Sequence, residues 1–259
     1  MTRYPFKGMT LGAVYIGATI GTVFYGITIL QTVIYYKQYP NDPWLFRYSV
    51  GLLGILDTLH VAISTHALYH YLVELFGNFP ALFRIVWSFR LHLIVNTLIV
   101  VSVQALYAVR IWKFGRHFHA VLPWFIFLLV AGSSAVGIYI TYDVYTVSSI
   151  LELPTFSTTI YAVFSTAAGA DFVIAASMCY YLHRGRLMAP GISSTMKIIV
   201  GLMRLVVLSG LATSACSLFT LITYILWPNS LIFIAVDFIL PKRARPVFYS
   251  SLIIHRQSI

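Results

Sequence analysis

Six long runs of mostly apolar residues, each bounded by charged or helix-breaking residues, constrain this chain more than any other feature. They fall at roughly 10–36, 48–75, 87–109, 121–142, 159–182 and 198–227. A membrane helix needs about 20 such residues to cross a hydrocarbon layer ~30 Å thick, so each run is long enough to span. A soluble fold cannot absorb them. The chain is 59% hydrophobic and 9% charged, whereas soluble domains have about 45–50% apolar and about 25% charged residues. The first run is too long for a signal peptide's apolar stretch and has no small-residue cleavage site, so it reads as a retained helix. A seventh run starts at Ser230, after the Trp227-Pro228-Asn229 break, and stays apolar only to Leu240. As a helix that run covers about 16 Å, half a membrane. Beyond it, Pro241-Lys242-Arg243-Ala244-Arg245-Pro246 opens a basic tail over 241–259, either irregular or a continuation of the last helix.

The cations orient these spans. Loops on the N-terminal side carry Arg3, Lys7, Arg84 and Arg90. The opposite loops and the tail carry Lys37, Arg47, Arg110, Lys113, Arg116, Arg184, Arg186, Lys197, Lys242, Arg243, Arg245 and Arg256. With Arg204 inside a span, that accounts for all 17 Lys and Arg. The positive-inside rule therefore predicts an external N-terminus and cytoplasmic basic loops. It also explains the net charge of +10 without nucleic acid; the expected partner is the bilayer, whose anionic lipids the tail can touch. Tyr35, Tyr36, Trp44, Trp87, Trp112, Trp124, Tyr180, Tyr181 and Trp227 sit near span ends, where interfacial aromatics belong. Cys179 and Cys216 both fall inside spans, which leaves no disulfide framework for the outer loops. No internal repeat is visible, so a repeat-built transporter is not supported.

The stretch Ile55-Leu56-Asp57-Thr58-Leu59-His60, followed by Ser64-Thr65-His66-Ala67-Leu68-Tyr69, resembles a family of seven-pass membrane proteins of mushroom-forming fungi, catalogued only as a domain of unknown function. Leu30-Gln31-Thr32 with Tyr35-Tyr36, and Gln104 through Trp112, match the ends of its first and third helices. Ala170-Asp171 through Cys179-Tyr180-Tyr181-Leu182-His183-Arg184 is similar to the end of its fifth. Thr213-Ser214-Ala215-Cys216 and Pro228 to Phe233 fit the sixth helix and the turn into the seventh. The resemblance implies seven helices with the N-terminus outside. It implies no activity and hence no functional residues. The sequence departs from the pattern at Pro241, where members continue the last helix.

An ionisable side chain at membrane depth costs roughly 2.5–3.5 kcal/mol on insertion scales, so each one asks for a reason. Asp57, Asp171, Asp237 and Arg204 are in this position, with His60 beside Asp57. The expectation is a polar network in which Arg204 faces the bundle interior and pairs with Asp57 or Asp171. Its alternatives are Arg204 snorkelling to the headgroups and an ion or proton pathway. A second constellation places His66, His70 and Glu74 on one stripe of helix 2, because i, i+4 and i+8 are neighbours. Arg90, His92 and Asn96 lie on helix 3. Together these six residues outline a candidate outer pocket. His66-x-x-x-His70 has the spacing of two imidazoles on one metal, and His92 is a conceivable third ligand. Eight histidines make such spacing easy to meet by chance, so structural hydrogen bonding is the favoured reading and no metal or other cofactor is predicted. Gly17-x-x-x-Gly21 is a small-residue face suited to helix packing within the chain, with homo-oligomer formation the minority reading.

Several classes are excluded. A retinal-linked pump needs a lysine deep in the last helix, and every lysine here lies at a span end or in a loop. Helix 3 ends Tyr107-Ala108-Val109-Arg110, without the acidic-Arg-Tyr signature of the largest receptor family. There is no phosphate-binding glycine loop, no nucleophile elbow and no cysteine pair for a metal. The sequence thus predicts an all-α, polytopic integral membrane helical bundle over residues 1–240, with seven spans, the N-terminus outside and the C-terminus cytoplasmic. The function expected is non-enzymatic and receptor-like or sensing, with a small ligand at the outer face. The alternatives are a small transporter or channel using the intramembrane aspartates and Arg204, and a metal-dependent membrane hydrolase using His66, His70 and His92.

Overall fold

A computed structural model of the chain describes residues 6–38, 40, 44–78, 81–115, 121–147, 157–188, 211, 213–226 and 235–236. Among these the secondary structure is helical, without strands. Five long helices follow in order: α1 (Phe6–Gln38), α2 (Trp44–Tyr69), α3 (Trp87–Gly115), α4 (Val121–Thr146) and α5 (Ser157–Met188). Their apolar parts are long enough to cross a membrane: Gly12–Lys37, Arg47–Glu74, Trp87–Val109, Val121–Thr146 and Ser157–Tyr181. These agree with the first five expected spans, except that the fourth continues past residue 142. A shorter apolar helix, α6 (Thr213–Leu226), lies within the sixth. Most of the seventh expected span and the tail fall outside the described residues.

Prolines and a glycine set the helix ends. Pro40 follows the end of α1, and Pro123 sits in the first turn of α4, where its missing N–H leaves no intrahelical bond unmade. At its C-terminal end α2 widens into a π turn, His70–Glu74, closed by the Leu75 N–H donating to the His70 carbonyl at 3.0 Å. Gly77 ends the segment at φ +86°, a left-handed conformation that favours glycine.

Consecutive helices pack antiparallel. Contacts step up one helix as they step down the next: Arg90 meets Val147, Thr97 meets Gly137, and Trp112 meets Trp124 across α3 and α4. Likewise Tyr25 meets Thr58, and Tyr36 meets Arg47, across α1 and α2. α3 packs against α2, α4 and α5 and forms the axis of the group. A Cβ on Gly17 would collide with the backbone carbonyl of Ala235. This glycine therefore lets a segment within the seventh expected span approach α1, an intrachain use of the Gly17 face.

The distribution of polarity is inverted relative to a soluble protein. Leu128 is 74% exposed, and Ile16, Ile20, Val23, Ile27 and Leu30 form an exposed stripe along α1. Thr28, Asp57, His60, Ser88 and Thr220 are wholly buried. Water would penalise such a surface by about 25 cal/mol per Å2 of apolar area, whereas lipid tails do not. Hydroxyls within the helices are satisfied locally: Thr28, Thr32, Ser134, Thr141 and Thr220 each donate to the carbonyl four residues earlier, at 2.7–3.0 Å. The chain is a multi-pass integral membrane protein, because only lipid suits that surface.

Candidate functional site

Three apolar clusters hold the described bundle, and the polar groups sit between and beside them. Toward the C-terminal end of α1, Tyr35, Leu53, Tyr107, Ile111, Ile126 and Met178 belong to one cluster joining α1 to α5. Toward the N-terminal end of α1, Val14, Phe89, Val144 and Ala235 belong to another. Ile63, Val95 and Ile99 close the middle of the α2–α3 seam.

Beside that middle cluster lies a histidine group. The His60 and His92 rings pack 4.4 Å apart, and both are buried. The Ser64 hydroxyl lies 2.6 Å from the His60 carbonyl and 3.0 Å from His92 Nδ1. A carbonyl only accepts, so the single Ser64 proton goes to His60, and Ser64 accepts from an Nδ1–H of His92. The geometry thereby fixes the His92 tautomer. Phe89 stacks on the other side of His92, at 6.3 Å. Asp57 is wholly buried one turn below His60 on α2.

The second polar group lies about 18 Å further along α3, at twelve residues and 1.5 Å each. Gln104 donates from Nε2 to Asp171 Oδ1 at 3.1 Å, and Thr213 also hydrogen-bonds to Asp171. One carboxyl group thus ties α3, α5 and α6. Tyr161 and Tyr224 meet at 5.3 Å about the same rise away on both helices, so α6 runs antiparallel to α5. The partner expected for Asp171, Arg204, lies outside the described residues, as does Asp237.

The six residues expected to form an outer pocket between α2 and α3 do not gather there. His66 is exposed and packs on Trp87 at 4.9 Å. His70 pairs through Nδ1 with Glu74 Oε2 within the π turn. His92 faces His60 and Ser64 instead of these two. Arg90 donates from Nη2 to the Val147 carbonyl at 2.8 Å and lies over the Tyr145 ring. It closes the C-terminal end of α4, where the helix dipole favours a cation. Asn96 is half-buried on α3. Among the described residues no group of three or more His, Cys, Asp or Glu side chains could hold a metal ion; His66, His70 and His92 are not brought together. The physical reason is register: His66 lies level with Trp87, about 7.5 Å of helix rise before His92, and His92 lies level with His60 and Ser64.

Two features escaped the sequence reading. Asp143 is a buried carboxylate within α4, and Thr159 of α5 donates to its Oδ2 at 3.1 Å. Its charge reads as span-ending punctuation in the sequence, although the helix runs on to Thr146. The second is a cleft of about 310 Å3 between the N-terminal half of α1 and the C-terminal half of α2. Tyr15, Ala18, Thr19 and Thr22 line one wall; Val61, Ser64, Thr65, Leu68, Tyr69, Leu72 and Val73 line the other. None of these described lining residues is charged, and Ser64 connects the cleft to the histidine group. Threonines at 19, 22 and 65 were the available signal, but hydroxyls in an apolar run most often bond their own helix.

Residues 167–254 match the model of a family described as Family of unknown function (DUF6534). The matched stretch holds Asp171, α6 and the Pro241–Pro246 segment. No curated protein and no solved structure matches the chain.

Proposed function

We propose that the chain is a seven-span, non-enzymatic, receptor-like membrane protein, with its N-terminus outside and its C-terminus in the cytoplasm. The observation that carries this reading is the separation of the buried polar groups. Along α3, His92 of the His60–Ser64–His92 group and Gln104 of the Gln104–Asp171–Thr213 group are twelve residues apart, with the buried apolar Val95 and Ile99 between them. Each group ties helices together. A bundle joined at discrete levels, with a cleft in its outer half, suits binding and a shift between packings better than passage of an ion.

The transporter reading draws on Asp57, Asp171, Asp237 and Arg204, and on the full burial of Asp57. Reconstituted vesicles with an imposed proton gradient and a pH-sensitive dye test the two readings directly. The receptor-like reading expects the gradient to decay as in protein-free vesicles. Faster decay that Asp171→Asn abolishes would replace it with the transporter. A glycosylation reporter fused after Ile259 tests the topology, and the seven-span reading expects no glycosylation. A glycosylated reporter would put the C-terminus outside and remove that reading.

A further inference from the structure

We propose that the α1–α2 cleft is a binding site for a neutral, lipid-soluble alcohol: an apolar chain that donates one hydroxyl hydrogen bond. The proposal rests on the receptor-like reading only for what binding would accomplish; occupancy of the cleft can be measured by itself.

The chemistry follows from the state of three wall hydroxyls, those of Thr19, Thr22 and Ser64. Thr19 donates to the Tyr15 carbonyl, and Thr22 to the Ala18 carbonyl, both at 2.9 Å. Ser64 donates to the His60 carbonyl and accepts from His92. The protons of these three hydroxyls are engaged, while Thr19 and Thr22 oxygens keep lone pairs beside the cleft. Thr19 and Thr22 therefore offer acceptors, to which a matching ligand brings a donor. A carboxylate or phosphate would meet no cation among the described lining residues. An ammonium would be desolvated with no counter-charge among the described lining residues, which is costly at membrane depth.

Size and access point the same way. A volume of about 310 Å3 lies at the low end of small-molecule pockets, about 300–1,000 Å3. Filled at interior density it holds about a dozen non-hydrogen atoms. Tyr15, Tyr69 and Val73 at the rim are more than half exposed on the surface that faces lipid. Entry is thus lateral, from the outer half of the bilayer. The π turn at His70–Glu74 supplies Leu72 and Val73 to the upper wall, and such turns recur at functional sites.

The test uses the purified full chain in lipid nanodiscs and a dodecanol analogue carrying a diazirine on its chain. After illumination, labelled peptides are mapped by mass spectrometry. The expected result is labelling concentrated on residues 15–22 and 61–73, displaced by unlabelled dodecanol. Its methyl ether, which has no donor, should compete about fivefold less well, the worth of one net hydrogen bond. A Thr19→Val/Thr22→Val variant, isosteric and on an exposed face, should remove this preference while leaving the fold intact. Val61→Phe, which fills the cleft, should remove the labelling itself. Labelling spread equally over lipid-facing residues of α4 such as Leu128, or equal competition by alcohol and ether, would overturn the proposal. Neither result would bear on the proton-gradient or topology measurements, so the two readings fail separately.

Discussion

The two seams of α2 make an instructive pair. Toward α3, His60 packs against His92, Ser64 bridges them, Ile63 meets Val95 and Ile99, and the Tyr71 hydroxyl donates to the Arg84 carbonyl and accepts from the Val86 N–H. That seam is closed from the middle of α2 to its C-terminal end. Toward α1, the ties are Tyr25 to Thr58 and Tyr36 to the Arg47 carbonyl, and the C-terminal half of α2 opens into the cleft. Both seams are built from apolar runs of similar length. What separates them is the residues on each face: large or hydrogen-bonded groups toward α3, and Ala18, Thr19 and Thr22 toward α1. In a bilayer, where lipid competes equally for apolar surface, close packing and polar ties decide which seam shuts.

The sharpest way to break this comparison is to truncate one residue on each seam. Ile99 is 1% exposed, and Ile99→Ala should cost about 2–5 kcal/mol through lost contacts and the cavity left behind. Val61→Ala, on the cleft wall, should stay within about 0.5 kcal/mol, because the space beside it is already open. Unfolding in mixed micelles with increasing dodecyl sulfate measures both. Similar losses at the two positions would mean that the α1–α2 seam is closed as well.

A smaller effect is expected at the Gln104–Asp171–Thr213 group. A double-mutant cycle of Gln104→Leu and Asp171→Asn isolates the bond between them. Interhelical side-chain bonds in membranes average about 0.6 kcal/mol and reach about 1.7 kcal/mol. The coupling should fall within that range, since Thr213 shares the carboxylate and keeps Asp171 satisfied. Zero coupling would remove Gln104 as a tie between α3 and α5.

The spans were legible because their signal is length, and length survives without knowledge of neighbours. Five of the expected runs coincide with the long helices to within a few residues. The contacts of the site were much less legible. In a soluble helix an apolar stripe shows which side faces the core, but α1 to α5 are apolar on nearly every side, so rotation is hidden. Spacing on α2 correctly put His70 beside Glu74, since both lie on one helix. It could not say which histidine of α2 would face His92, because that depends on the rotation of α3. Asp171 stood out as a charge inside an apolar run, while Asp143 did not, because it lies three residues before the end of α4. The cleft has no sequence signature at all; it is the space left where Ala18 and two threonines stand opposite Val61 and Ser64.

The smallest predicted effect concerns the Tyr25–Thr58 tie, and here the direction of the hydrogen bond decides the outcome. The two hydroxyl oxygens are 3.1 Å apart, and Thr58 also lies 2.8 Å from the Gly54 carbonyl. Thr58 has one proton, which the carbonyl requires, so Tyr25 donates to Thr58. Tyr25→Phe then removes a donor and leaves Thr58 still bonded to Gly54. Its cost should be at or below the membrane average of about 0.6 kcal/mol. Thr58→Val removes the acceptor and leaves the Tyr25 proton facing lipid without its partner, the costlier side of the asymmetry in hydrogen-bond deletion. Thr58→Val should therefore destabilise more than Tyr25→Phe, by a few tenths of a kcal/mol or more, in the same micellar titration. The reverse order would mean that Thr58 gives its proton to Tyr25, and the α1–α2 seam would then be held by a different bond from the one described.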